Sequence, residues 1–325
     1  MLVVIIVLMI VISLFNSVFF RLDNLMDILK NASVLGILSC GMLLVVLTGG
    51  IDVSVAAITA ACTCVCGVFI RDVVNSIPLT IVVCILFGLT LGLGNGLLIS
   101  RLKIPPIVAT LGTASIIYGL VKYITNGSWI TGIPDSFAVD FGQISFFAVN
   151  VEGLNRPIGL PVQVIFLIIA IAVTWWLLKY TRFGRSVFAI GGNRESAQRI
   201  GYNVRKSEPL IYMYLGGLAG FASVAYVSIM RQVDPNSFVG YELMVIAATV
   251  IGGVSINGGY GSVMGAMLGV FLMTILQNGL ILMRIPTFWQ QIVTGLIIIV
   301  VVSFDMYSSY LREKNRRKVD VSNTA

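Results

Sequence analysis

The segment Lys179–Pro209, KYTRFGRSVFAIGGNRESAQRIGYNVRKSEP, decides how the chain is read. It is the longest strongly charged interval between apolar segments. It carries seven basic residues (Lys179, Arg182, Arg185, Arg194, Arg199, Arg205 and Lys206) against the two acids Glu195 and Glu208. Both flanks are apolar runs of membrane-spanning length. Within the segment, Gly191-Gly192 break the chain, and Asn193 is placed to cap a short helix through its side-chain oxygen. Residues 194–200 are helix-compatible, Ala197 and Ile200 share one face by their spacing, and Gly201 stands where a left-handed helix stop is expected. One or two helical turns are unstable alone in water. The segment is therefore either a docking element for a soluble partner or a solvated connection, and its residues leave both readings open.

Outward from this island the composition is that of a membrane protein. Hydrophobic residues make up 58% of the 325 and charged residues 11%, against about 25% charged in soluble domains. Mean hydropathy is +0.99, and apolar runs of about 20 residues recur. These features predict an all-α polytopic membrane protein with one transmembrane domain over residues 1–310 and a basic tail over 311–325. The net charge of +7 and pI near 9.3 reflect the Lys and Arg of cytoplasmic loops and do not point to nucleic acid. There is no His, which removes His-based metal sites, His proton relays and Ser-His-Asp triads. The five Cys (40, 62, 64, 66 and 84) lie in apolar runs and read as small buried side chains; no metal site is expected. The apolar stretch 1–20 lacks a basic leader region and a small-residue cleavage site, so it reads as a first span and not as a signal peptide.

Ten spans fit the apolar runs, at about 2–20, 31–48, 55–70, 77–98, 106–123, 161–178, 210–229, 242–254, 262–280 and 288–304. Leu311–Lys318, LREKNRRK, carries five basic residues and one acid and is expected in the cytoplasm. Counting back, Arg101, Lys103, the seven island cations and the five tail cations fall on the cytoplasmic side, fourteen of 21 Lys and Arg. Both termini are then cytoplasmic. Residues 124–160 form the one long external segment, read as a cap over the outer mouth or a docking surface.

No Gly-Lys-Ser/Thr occurs, so the chain has no Walker A loop of its own. No paired carboxylates sit at helical spacing within a span, as a proton-driven carrier would need. The polar groups inside the apolar regions are few. Thr48-Gly49-Gly50 open a helix before Asp52 and Ser54. Asp52 reads as a cap for the next helix, ahead of direct ligand contact. Gly252-Gly253 form a second break. Asn95, Gln277 and Asn278 are neutral hydrogen-bonding groups suited to a path for a hydroxyl-rich solute, or equally to bonds between helices. The two Gly-Gly breaks, each followed by Asn-Gly-Leu and Ile-Pro, hint at an internal duplication.

LTGGIDVSV (47–55), GNGLLISRLKIPPIVATLG (94–112), TRFGRSVFAIGGNRESAQRIGYNV (181–204) and YELMVIAATVIGGVSINGGYGSVMGAMLGV (241–270) resemble the membrane subunits of simple-sugar ABC importers, of the ribose and galactofuranose permease type. The end of the chain, QNGLILMRIPTFWQQIVTGLIIIVVVSFD (277–305), looks most like the ribose permeases, and the likeness runs over nearly the whole chain. It implies a type II ABC-importer fold in a bacterial inner membrane. It also implies three partners: a cytoplasmic ATPase holding ATP and Mg, a second permease copy or paralogue, and an extracytoplasmic sugar-binding protein. No cofactor is implied in this chain, which would be non-catalytic. On this likeness Gly184, Gly191, Gly192, Asn193, Glu195, Ala197, Arg199, Ile200 and Gly201 form the coupling region. Arg156, Arg231 and Arg284 are external candidates for docking the binding protein. The family commonly has an acid where this chain has Met244. The rivals are a nucleoside-type permease of the same kind and a stand-alone carrier or uniporter for a small neutral solute; no catalytic constellation supports a membrane enzyme.

Overall fold

The computed structural model describes residues 1–149, 158–286, 288–297, 299–300 and 303. Eleven named helices run in chain order: α1 Leu2–Phe15, α2 Leu22–Leu47, α3 Val55–Val68, α4 Ile77–Leu102, α5 Pro106–Thr125, α6 Val162–Tyr180, α7 Arg182–Gly192, α8 Arg194–Arg199, α9 Val204–Met230, α10 Tyr241–Ile251 and α11 Val263–Leu282. Residues 288–297 are also helical. Seven helices among the described residues are long and apolar enough to cross a membrane, counting α3 with its wide-turn continuation to Val73. The expected first and eighth spans are shorter. Asn16 ends α1 by accepting the amide of Val18, which starts a tight turn, and Gly252 ends α10. The tenth span falls partly, and the basic tail wholly, outside the described residues.

The helices form because whole stretches are apolar on every side, as expected of segments surrounded by protein or lipid. Helix α2 is the centre of the core. Leu35, Ile37, Leu38, Met42, Leu43, Leu44 and Leu47 are fully buried along it. Helices α4 and α5 instead leave Leu79, Val82, Leu86, Ile107, Val108, Leu111 and Ile116 uncovered, which is how a lipid-facing helix reads.

The closest packing joins α4 to α9. Gly88, Gly92 and Gly96, four residues apart, form one ridge on α4. A Cβ on Gly88 would run into the carbonyl of Gly216, one on Gly92 into the carbonyl of Tyr212, and one on Gly96 into the backbone of Pro209. Gly216 and Gly220 on α9 are closed to a Cβ in the same way by the carbonyls of Gly88 and Cys84. This is the small-residue contact that lets helix backbones touch where no hydrophobic force separates protein from lipid.

The expected all-α fold needs one amendment. The segment 124–160 holds a wide helical turn, Ser136–Phe141, and an antiparallel hairpin of β1 Ser145–Val149 and β2 Ile158–Pro161. Its Gly and Pro punctuation reads as loop, whereas Phe146, Phe147 and Val149 are strand formers. Residues 150–157, including Arg156, lie outside the described residues.

The loops sort to two ends of the bundle. At one end, Gly259 N–H donates to the carbonyl of Leu47 at 2.9 Å. At the other, Ile130 bridges to Val233, Arg71 Nη1 donates to the Thr131 carbonyl at 3.0 Å, and Asn16 Nδ2 donates to the Leu282 carbonyl at 3.0 Å. The proposed internal duplication does not carry over. Both Gly-Gly breaks lie at the first end, but Asn95 meets Ser54 there while Asn278 meets Asn24 at the opposite end.

The glycine ridge generates a prediction. Gly92→Ala should lower stability by about 1–3 kcal/mol, the usual cost of overpacking, read as a lower melting temperature in detergent. Gly94→Ala, with nothing within 4 Å of its Cβ, should melt as the unmodified protein does.

Candidate functional site

Two breaks in the chain and the last turn of α7 meet at the end of the bundle that carries α8. Gly49, at φ +76°, turns the chain out of α2, and a Cβ on Gly50 would meet the Tyr212 hydroxyl. Gly258, at φ +84°, turns the α10–α11 connection so that a Cβ there would meet Gly49 N, Gly191 O and Leu47 O. Gly191 fits between Leu47 O and Gly259 N with no room for a side chain. The junction is therefore backbone on backbone.

Beside it lies a polar cluster. Asp52 is fully buried, and its Oδ1 accepts from Ser54 N at 2.7 Å and Ser54 Oγ at 2.6 Å. Asn95 Nδ2 on α4 donates to Ser54 Oγ at 2.6 Å. Val53 N donates to Thr110 Oγ1 on α5 at 3.1 Å. Asp52 is not the helix cap the sequence suggests: Ser54 is the N-cap of α3, with no side-chain cap bond, and Asp52 instead holds the turn in front of it, its Oδ2 without a partner among the described residues. Thr48 caps α2 with its hydroxyl on the Val45 carbonyl.

The island of charge is more structured than its sequence indicates. Gly191 and Gly192 do not break the helix; they are the last residues of α7, and the break falls at Asn193. The missed signal is Thr181, whose Oγ1 accepts from Gly184 N at 3.0 Å. It is followed by Phe183, Val187 and Ile190 at helical spacing. Gly184 packs where a Cβ would strike the backbone of Leu177 and Leu178. Asn193 caps α8 as expected, with Oδ1 accepting from Ser196 N at 2.8 Å. Gly201, at φ +97°, stops it.

Ala197 and Ile200 do not share a face. Ala197 is buried against Ile190 and Val204, whereas Ile200 lies past the end of α8 and is 71% exposed. Glu195 and Arg199 are exposed and pair at only 3.9 Å, which contributes little. The stronger tie is Arg194 to Glu208 on α9, with Nη2 to Oε2 at 3.0 Å. Ser186 Oγ donates to Ser207 Oγ at 3.1 Å. Both bonds clip the α7–α8 hairpin to the first turns of α9, and one turn beyond Glu208 is Tyr212, at the Gly50 break.

The remaining polar candidates lie elsewhere. Asn278 forms a reciprocal amide pair with Asn24, at 3.1 and 2.8 Å, tying α11 to α2. Gln277 lines a cavity of about 560 Å³ with Tyr241, Met244, Gln290, Gln291 and Thr294. Among the described residues its Nε2 meets the thioether of Met244, at 3.0 Å, a weak acceptor. The departure at Met244 therefore lies directly against this amide. Gly252 closes onto the carbonyl of Gly265, and Gly253, at φ +88°, turns the chain in open space. Arg231 and Arg284 are exposed at the end opposite α8, both in the left-handed region just past α9 and α11.

A family model described as branched-chain amino acid transport system, permease component, matches residues 24–302. The chain belongs to this permease family. With its apolar helices, that makes it an integral membrane protein, a non-catalytic membrane component. The permease is 34% identical to the ribose import permease protein RbsC of Bacillus subtilis (strain 168), over 93% of this chain and 91% of that one. It is 34% identical to the autoinducer 2 import system permease protein LsrC of Escherichia coli (strain K12 / DH10B), over 92% of this chain and 84% of that one. The LsrC protein of Photorhabdus laumondii is 32% identical over 94% and 88%. No solved structure matches the chain.

The two polar pairs differ in what their loss would leave behind. Asp52→Ala strands the buried Ser54 amide and hydroxyl and should cost about 1–3 kcal/mol. Asn278→Ala removes one interhelical amide pair and should cost only about 0.6 kcal/mol. Thermal unfolding of both variants in the same detergent ranks them; the reverse order would contradict the assignment of Asp52 as the organiser of the break.

Proposed function

We propose that this permease is the membrane-spanning component of an ATP-driven importer of a small neutral monosaccharide, of the ribose kind. The names of its relatives support the solute class. The observation that carries the mechanism is the clip of α8 to α9. A capped two-turn helix, tied by Arg194–Glu208 to the helix whose next turn touches the Gly50 break, links an exposed surface to a place where backbone opens inside the core.

The end carrying α8 is cytoplasmic in this reading, with both termini on the same side in a bacterial inner membrane. A separate ATPase, which holds ATP and Mg, seats against Ile200 and the exposed face of α8. Its closure tilts α8, and through Glu208 and Tyr212 it shifts the Gly49-Gly50 and Gly258 turns against each other. A second permease copy or paralogue completes the path. An extracytoplasmic sugar-binding protein delivers solute at the end where Arg231 and Arg284 are exposed. The amides of Gln277 and Gln291 meet the sugar hydroxyls, with neutral donors and acceptors that match an uncharged solute.

Reconstituted complexes test this. Ala197→Pro removes the amide that bonds to the Asn193 carbonyl and should abolish both uptake and transport-stimulated ATP hydrolysis, while the protein still inserts. Wild-type values for both would sink the coupling role. Sugar uptake by the permease alone in liposomes would favour a uniporter instead.

The cavity carries its own prediction. Gln277→Ala should reduce sugar uptake by about tenfold, as expected when a site loses a hydrogen bond to substrate, with ATPase association unchanged. An unaltered uptake rate would remove Gln277 from the path.

A further inference from the structure

A cavity of about 790 Å³ opens between α8, the start of α9 and the turn joining α4 to α5. It is basic. Lys103 comes from the α4–α5 turn and Arg205 from the first turn of α9, with Arg194, already paired to Glu208, at the start of α8. No Asp or Glu is among its lining residues. Neither Lys103 nor Arg205 makes an ion pair among the described residues. Gln198 and Asn203 add neutral donors.

Two further features border the same space. Helices α5 and α9 both begin at the cavity wall, at Pro106 and Val204, so their first turns favour negative charge there. Ser100 is 5% exposed and lines the cavity, yet its Oγ has no hydrogen-bond partner among the described residues. That oxygen is itself shielded from the cavity, so Ser100 adds polar character to the wall without being a ligand contact.

We propose that this cavity receives a carboxylate side chain of the cytoplasmic ATPase. The proposal rests on the reading that the ATPase seats on α8. Because α8 supplies Arg194 and Gln198 to one wall and Gly201 follows it there, a partner seated on α8 lies beside the cavity, and the acid-free lining selects an acidic element. The α4–α5 turn becomes a second contact, so the partner grips α9 from two sides. Lys103 takes part although it lies far from the charged island in sequence.

The test uses the permease in nanodiscs with its ATPase. Lys103→Glu combined with Arg205→Glu should weaken ATPase binding by at least about tenfold, the cost of reversing charges opposite an interfacial carboxylate. It should also flatten the dependence of binding on salt. Lys103→Gln with Arg205→Gln should give a smaller loss in the same direction. Melting temperatures equal to the unmodified protein confirm folding. Ile200→Glu provides the reference for docking on α8. If Ile200→Glu abolishes binding while the double charge reversal leaves it unchanged, the cavity proposal is overturned and the docking reading stands. If neither changes binding, the docking reading falls as well. A rise in melting temperature of the isolated permease on adding inorganic phosphate, lost in a double variant that still binds the ATPase as the unmodified protein does, would assign the cavity to a free anion and overturn the proposal. A loss of ATPase binding by the double charge reversal that is confined to discs of anionic lipid, and absent in neutral discs, would overturn it in favour of a lipid headgroup.

Discussion

The contact between α4 and α9 fixes what the rest of the molecule can do. In lipid, apolar side chains gain little by leaving one another's company, so close helices are held by dispersion and by the fit of backbone to backbone. Gly88, Gly92 and Gly96 present a flat ridge to Pro209, Tyr212, Gly216 and Gly220, with no room for even one carbon more. That fit sets the position of α9 along its length. Glu208 and Tyr212 ride on the same helix, and their aim toward α8 and the Gly50 break follows from it.

The α8 end then reads as a lever with a defined fulcrum. The hairpin of α7 and α8 meets the start of α9 through Arg194 to Glu208, Ser186 to Ser207 and Ala197 against Val204. It meets the two helix breaks through Gly191 against Leu47 and Gly259, and it rests on α6 through Gly184 against Leu177 and Leu178, with Val187 buried in the core. On the proposed coupling role, a force on the exposed side of α8 reaches α9 through a charged pair and the breaks through packed main chain, with α6 as the support.

Much of this was legible in the residues, for reasons that can be named. Asn193 and Gly201 mark a helix start and stop because capping and left-handed φ are local chemistry, independent of the fold. The Gly-Gly breaks are legible for the same reason. Helix α7 was hidden because its two terminal glycines resemble a break; the close approach of Gly191 to Leu47 explains the first, and nothing packs where a Cβ of Gly192 would be. The inward aim of Ala197 depends on Ile190 and Val204, which sequence cannot place beside it. Asn95, Gln277 and Asn278 look alike on paper, and structure separates them: Asn95 supports Ser54, Asn278 pairs with Asn24, and Gln277 faces a cavity. Partners distant in sequence made the difference each time.

The junction of Leu47, Gly191, Gly258 and Gly259 is built from amides, carbonyls and the space that glycine leaves. Main chain has the same chemistry in every protein, so this joint does not depend on which side chains line the cavity around Gln277, near the other end of α11. The two can vary separately. On the proposed reading, Met244, Gln277 and Gln291 could change to suit a new solute while the main-chain joint stayed as it is, so specificity would be interchangeable on a constant chassis.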